Sequence, residues 1–225
     1  MCNRYRPARA EVIEAQWQLK PPRSWKLGIG PWGDGPFIRA RTSEPELVVG
    51  TWALIGDQDK KPINKPRMTN NARIESIASL RTYKGPWQRG QRCLIPAESY
   101  DEPCWELGRN EWWSFRRKDG APWHLAGIWN SWTDPATGEL FESYSALTMN
   151  CDTHPLLRRF HKPEPTLPPD QQDKRTVIPL EVSSFRAWLT GPVEEALSLV
   201  QLPALELFEA GPAQVVPASS LPLDS

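Results

Sequence analysis

Residues 111–129 read EWWSFRRKDGAPWHLAGIW. Apolar and polar side chains alternate along 111–118, a second apolar run fills 122–129, and Asp119-Gly120 stands between them as a tight-turn dipeptide. The pattern predicts a β-hairpin. Outward from it, FESYSALTMN at 141–150 is a further strand, set off by the turn residues of 134–138. LVVGTWALI at 47–55 is apolar on both faces and rich in β-branched residues, as a buried strand is, and QRCLIPA at 91–97 is a second strand. KRTVIPL at 174–180 adds one more. Short strands and short turns predict an α+β, mainly β fold: an antiparallel, barrel-like sheet system with short peripheral helices. Those helices are expected at 9–19 (ended by Pro21-Pro22), in EVSSFRAWL with Ser183 or Ser184 as N-cap, and at 191–200. One domain is expected over 1–225, with a loosely ordered Pro, Ala and Ser tail from about 211. No internal repeat is visible.

Composition narrows the function. Lys plus Arg equals Asp plus Glu, for a formal net charge of zero, which excludes a protein that coats nucleic acid wholesale but leaves room for a local basic groove. Twelve Trp are more than a core needs, so some are candidates for a stacking surface. Cys2, Cys93, Cys104 and Cys151 make no CxxC pair, and His124, His154 and His161 lack zinc spacing, so no metal and no cofactor are expected. GIGPWGDGPF at 28–37 lacks the Lys-Ser/Thr ending of a nucleotide loop and fits better as a loop crossing near the active site. No run approaches the ~20 apolar residues of a membrane span, and no apolar signal region follows the first arginines. A cytoplasmic protein with reduced thiols is expected.

The opening residues, Met-Cys-Asn-Arg-Tyr-Arg, carry the chemistry. Cys2 follows the initiator Met1, and removal of Met1 would leave a thiol and an α-amine on one residue. An α-amine titrates at about 7.7–8.0 and a free thiol at about 8.5, so both are partly nucleophilic near neutral pH. Such a residue can condense with an aldehyde to an imine and close its thiol onto the same carbon, giving a thiazolidine. It can equally act as an N-terminal nucleophile in hydrolysis. Polar clusters at 70–75, 98–102 and 154–161 supply an amide, an acid and an imidazole to accompany it. Lys60, Lys61, Lys65 and Arg67 precede the first cluster and offer a basic contact surface.

In ordered blocks the chain resembles the SRAP family (SOS-response-associated peptidases, or abasic-site-processing proteins). The blocks are MCNRYR at the start, VVGTWALI, NARIES at 71–76, RCLIPAESYDEPCW at 92–105, AGIW at 126–129, and HPLLRRFHK followed by KRTVIPL and AWL. The chain departs from the family pattern at Asn3, where glycine is commonest. It departs again in the Ser-Tyr-Asp-Glu-Pro setting of Glu102, and in a Pro-rich insertion after His161.

The resemblance implies a sensor of abasic sites in single-stranded DNA, acting without cofactor, metal or membrane, as a monomer, and associated with the nucleoid when on DNA. It implies a thiazolidine crosslink from Cys2 to the open-chain sugar aldehyde. Asn71 would bond near Cys2, Glu102 would be the acid/base, and His161 would lie by the sugar, with His154 as a second candidate for that role. Arg4, Arg73 and Arg81 would grip phosphates, and Trp52 and Trp105 would flank the DNA. Two other readings stay open: a Cys2 peptidase or amidohydrolase, including self-removal of Met1, and a non-covalent single-strand-binding module.

Overall fold

The structure is a computed structural model that describes residues 2–42, 44–62 and 67–213. Its strands are β1 (Arg4–Pro7), β2 (Asp34–Ala40), β3 (Pro45–Trp52), β4 (Asn71–Arg73), β5 (Arg92–Cys104), β6 (Glu111–Arg117), β7 (Trp123–Thr133), β8 (Leu140–Asn150), β9 (Arg175–Val177) and β10 (Phe208–Pro212). Four short helices accompany them: α1 (Ala10–Trp17), α2 (Arg81–Gln88), α3 (Phe185–Thr190) and α4 (Val193–Ser198). Five strands close a barrel. β5 pairs with β2, β2 with β3, β3 with β8, β8 with β7, and β7 with β5 again. All of these pairs are antiparallel except β3 with β8. No helix among the described residues is long and apolar enough to cross a membrane.

The barrel strands read as continuous apolar runs because both of their faces are covered. Along β5, Cys93, Ile95 and Ala97 join one buried cluster while Leu94 joins another, the period of two of an extended chain. β7 divides the same way: Trp123, Leu125 and Trp129 go to one side, Ala126 and Ile128 to the other. The second cluster is closed by the helices, through Ile13 of α1, Tyr83 and Trp87 of α2, and Phe185 and Trp188 of α3. The first cluster draws no residue from α1–α4 and includes Cys2, Tyr5, Trp52 and Tyr100.

The expected 111–129 hairpin does not form. The Asp119-Gly120 turn is real, with Gly120 at φ +75 and its N–H donating to the Arg117 carbonyl at 3.1 Å. However, β6 and β7 both pair with β5. β7 takes its first half (Arg92↔Ile128 to Ala97↔Trp123), and β6 takes its second (Tyr100↔Phe115 to Cys104↔Glu111). The two strands lie end to end along one β5 edge, so they cannot face each other, and the hairpin is β5–β6. The segment ESYDEPC, which reads as a polar continuation, is strand throughout. Other differences are smaller. β2 emerges from the Gly- and Pro-rich stretch, and α2 forms despite Gly85 and Pro86. α1 is shorter than expected and stops at Gln18, which is left-handed at φ 57. Ser184 precedes α3 but makes no side-chain cap bond. The chain remains paired at Gly211 and Pro212, in β10 against β6, and the tail beyond 213 lies outside the described residues.

One glycine in the barrel wall is dictated by its neighbours. Tyr5 and Tyr144 bring their hydroxyls to 2.5 Å of each other. A Cβ on Gly35 would run into both oxygens. Gly35→Ala should therefore lower stability by about 1–3 kcal/mol through overpacking. Gly28→Ala, whose Cβ would meet nothing within 4 Å, should be close to neutral. Urea midpoints at unchanged slope measure both effects. Equal midpoints would show that the tyrosine pair yields readily.

Candidate active site

Cys2 is set in place by the strand that follows it. β1 lies antiparallel on the second half of β5 (Arg4↔Asp101, Tyr5↔Tyr100). On its other side, Tyr5 and Ile29 exchange backbone bonds of 3.1 and 2.9 Å, so the 28–33 loop does run beside the N-terminal residues. The Tyr5 ring packs edge-on against Trp52 with centroids 5.0 Å apart. Cys2 is thereby 1% exposed, with its Sγ–H donating to the Arg4 carbonyl at 3.4 Å. Burial, and then the charge of Glu102, push its thiol well above the usual range.

β4 brings the amides. It runs parallel to β8 (Asn71↔Ala146), and the Tyr83 hydroxyl of α2 donates to the Asn71 carbonyl at 3.0 Å. Asn71 Nδ2 donates to the Cys2 carbonyl at 2.6 Å. Asn70 Nδ2 donates to the same carbonyl at 3.3 Å and to Asn3 Oδ1 at 3.0 Å. Asn70 and Asn3 are therefore part of the site. In the sequence Asn70 falls in the right polar cluster without a visible role, and Asn3 stands out only as a departure from glycine.

Glu102 is 2% exposed, and neither carboxylate oxygen accepts a hydrogen bond among the described residues. Burial pushes its carboxyl up to about 7. His161 Nε2 lies 3.4 Å from Glu102 Oε2 and 3.0 Å from the Arg175 carbonyl. A carbonyl only accepts, so Nε2 carries the proton and Nδ1 is the basic nitrogen. Burial holds the His161 imidazole down at about 3, so it is neutral at physiological pH. His154 is committed elsewhere: Nδ1 accepts from the Leu156 and Leu157 N–H groups at 3.2 and 3.1 Å, and Nε2 meets the Pro203 carbonyl at 3.0 Å. Its ring caps a turn rather than facing Glu102.

The expected DNA-contact residues divide. Arg73, two residues along β4 from Asn71, shares that residue's strand face and pairs with Asp173 at 2.7 Å. Arg4 lies 3.6 Å from Asp101 and 4.9 Å above the Trp112 ring. Trp112 is half-buried and in register with Pro103. The outward alternation of EWWSFRRK could have singled it out. Arg81 opens α2 and lines a depression of about 600 Å³ with Lys60, Lys61 and Arg67; Lys65 lies outside the described residues. Trp105 is half-buried, with Lys162 Nζ 5.4 Å from its ring. Trp52 is a correction: at 1% exposure it is a core residue with no face on which a base could stack. Among the described residues, no group of three or more His, Cys, Asp or Glu is placed to hold a metal ion.

Residues 1–216 match the family described as SOS response associated peptidase (SRAP). The abasic site processing protein HMCES of Gallus gallus is 24% identical over 176 residues, 65% of this chain and 52% of that protein. The protein of the same name from Xenopus tropicalis is 24% identical over 132 residues, 49% of this chain and 39% of that protein. This chain thus spans about half the length of the curated relatives, or less. A solved structure from Bordetella bronchiseptica is 29% identical with a TM-score of 0.84, covering 95% of this chain and 100% of that one. One from Bacteroides thetaiotaomicron, 20% identical with a TM-score of 0.78, covers 95% and 92% and shows the fold alone.

The buried Glu102 has a measurable signature. With its carboxyl raised to about 7, the folded protein keeps a proton that the unfolded chain has already released. The stability contributed by that neutral form is present below the usual carboxylate range. It is lost as pH rises through 7. Glu102→Gln keeps the shape without the charge. It should be close to wild type in stability at pH 4 and more stable at pH 8, by on the order of 3 kcal/mol. Urea denaturation at the two pH values reads the difference, and a pH-independent gap would show that Glu102 is not the titrating group.

Proposed function

Since this chain belongs to the SRAP family, we propose that it processes abasic sites in single-stranded DNA, joining the mature Cys2 covalently to the open-chain sugar aldehyde. The observation that carries this reading is a set of buried acceptors around Cys2. Glu102 Oε1, Glu102 Oε2 and Asn71 Oδ1 are all enclosed without a hydrogen-bond donor among the described residues. Buried acceptors are costly unless donors reach them. An α-ammonium, freed on Cys2 by loss of Met1, offers three N–H donors, and a sugar offers hydroxyls. The names of the curated relatives support the same substrate class.

The chemistry follows from the side chains. An abasic sugar is mostly a closed hemiacetal, and opening it moves a proton from the anomeric hydroxyl to the ring oxygen. A carboxyl near 7 can both give and take that proton at neutral pH, with the neutral His161 imidazole as its partner. The Cys2 amine then adds to the aldehyde carbon, and Glu102 protonates the departing hydroxyl so that water leaves and an imine remains. The thiol adds to the imine carbon, and its proton ends on the ring nitrogen. Aldehyde and aminothiol thus give thiazolidine and water with no change of oxidation state. Because burial keeps the thiol neutral, attack by the amine comes first. A thiolate attack on a peptide bond finds less support in such a site. Phosphate contacts from Arg4 and Arg73 would be blind to sequence, as suits a lesion with no base to read.

The test is intact mass after incubation with abasic single-stranded DNA, set against the same DNA with its sugar reduced to an alcohol. Adduct should form only on the aldehyde and only on protein lacking Met1. Cys2→Ala should give no stable adduct, yet a borohydride-trappable imine. Glu102→Gln should slow the reaction by roughly 10²–10⁴-fold with DNA affinity nearly intact. His161→Ala should slow it less. Equal adduct on both DNAs would turn the assignment toward the peptidase.

A phosphate grip also predicts that affinity for the reduced-sugar strand falls with salt, by a log–log slope of about −0.7 per contact. A flat salt dependence in a fluorescence-anisotropy titration would exclude the arginines as the main contacts.

A further inference from the structure

His161 holds an unusual backbone, with φ at +66, in the left-handed region that non-glycine residues seldom occupy. Its N–H donates to the Pro103 carbonyl at 2.7 Å, one residue past Glu102. Its ring meets the Arg175 carbonyl at 3.0 Å. Both of those partners are backbone groups, which any residue would supply. A further contact to its backbone depends on a side chain: Lys174 Nζ donates to the His161 carbonyl at 2.8 Å.

Lys174 is 6% exposed, and a buried ammonium is costly unless it is well bonded. The chain brings it there by a fixed route. Residues 162–173 leave His161 and return beside it. The return is anchored on Asp152, whose carboxylate accepts the N–H groups of Asp173 at 3.0 Å and Lys174 at 2.8 Å. Asp173 is held in turn by Arg73 and Arg175, at 2.7 and 3.2 Å. The Lys174 bond therefore closes the whole excursion onto the one residue whose imidazole faces Glu102.

We propose that Lys174 is a positioning residue for the reaction: its ammonium, through the His161 carbonyl, holds the left-handed turn at His161 and so keeps the imidazole against Glu102. The inference rests on the proposed crosslinking reaction and adds to it a residue with no direct part in the chemistry. Lys174 also carries positive charge near the ring, a lesser contribution beside burial to keeping His161 neutral.

The experiment measures single-turnover adduct formation at saturating abasic single-stranded DNA for wild type, Lys174→Met, Lys174→Arg, His161→Ala and the Lys174→Met/His161→Ala pair. Affinity for reduced-sugar DNA is read alongside. Lys174→Met should react about 10- to 100-fold slower, the cost of a catalytic group displaced by about an ångström. Affinity should change less than twofold, and Lys174→Arg, which keeps the charged donor, should recover most of the rate. The double variant should be no slower than the slower single one, because Lys174 acts through His161. Should Lys174→Met not fold, Lys174→Gln takes its place in the cycle. A wild-type rate in the Lys174 variant overturns the inference. So do multiplying effects in the double variant, or an Arg variant as slow as Met. A wild type that forms no adduct overturns the crosslinking reading instead, so the two failures are distinct.

Discussion

β5 is paired along both of its edges, and the rest of the molecule follows from that. β7 and β6 occupy one edge end to end, while β2 and β1 occupy the other. Pairing on both edges satisfies its backbone groups, and where its two faces are also covered its side chains lie inside whatever their polarity. Ser99, Asp101 and Glu102 are buried along with its apolar residues, and only Glu98 along the strand is exposed. The raised carboxyl of Glu102 is a direct result, since no other charge is needed to explain its direction. The same strand fixes Cys2 through β1 and His161 through the Pro103 carbonyl, so the thiol, acid and imidazole share one rigid ruler.

Such a site stands at the expense of stability, because acceptors without donors and a buried carboxyl favour unfolding. The surroundings offset it. Tyr5, Trp52, Tyr100, Phe115, Trp123 and Phe160 pack in the cluster that includes Cys2. Arg175 is held bidentately by Glu75 at 3.0 and 2.7 Å and also donates to the Thr148 carbonyl at 2.9 Å, tying β9 to β8 behind the histidine. Arg175 is only partly satisfied, since its Nε finds no partner among the described residues.

Much of the fold was legible in the sequence. The apolar runs of β3, β5 and β7 announce strands buried on both sides, and block order announces the family. What stayed hidden has physical causes. A polar run such as ESYDEPC does not read as strand unless its burial is known, so the sequence pattern shows only the first half of β5 and points to a hairpin between the wrong strands. β2 and α2 contain Gly and Pro that local propensity counts against them, and tertiary packing overrides that count. In the site, Cys2, Asn71, Glu102 and His161 could be named because each sits in a block. Asn3, Asn70 and Lys174 could not, because their roles depend on which carbonyl or amide they touch. Trp52 erred the other way: a tryptophan in a DNA-binding context suggests stacking, whereas its neighbours on β3 are core.

The outermost strand has a consequence for handling the protein. The N–H of Ala213, just past β10, donates to the Trp112 carbonyl at 2.7 Å, and the guanidinium of Arg4 covers the ring of that tryptophan. The described ends of the chain therefore meet at one place, two residues from Cys2. A purification handle on the amino side would occupy the amine that the proposed crosslink requires. One joined directly after Ala213 would begin at the rim of the same site. Labels and immobilisation points belong instead on the far side of the barrel, for example on the exposed end of α4, where they leave the two ends of the chain untouched.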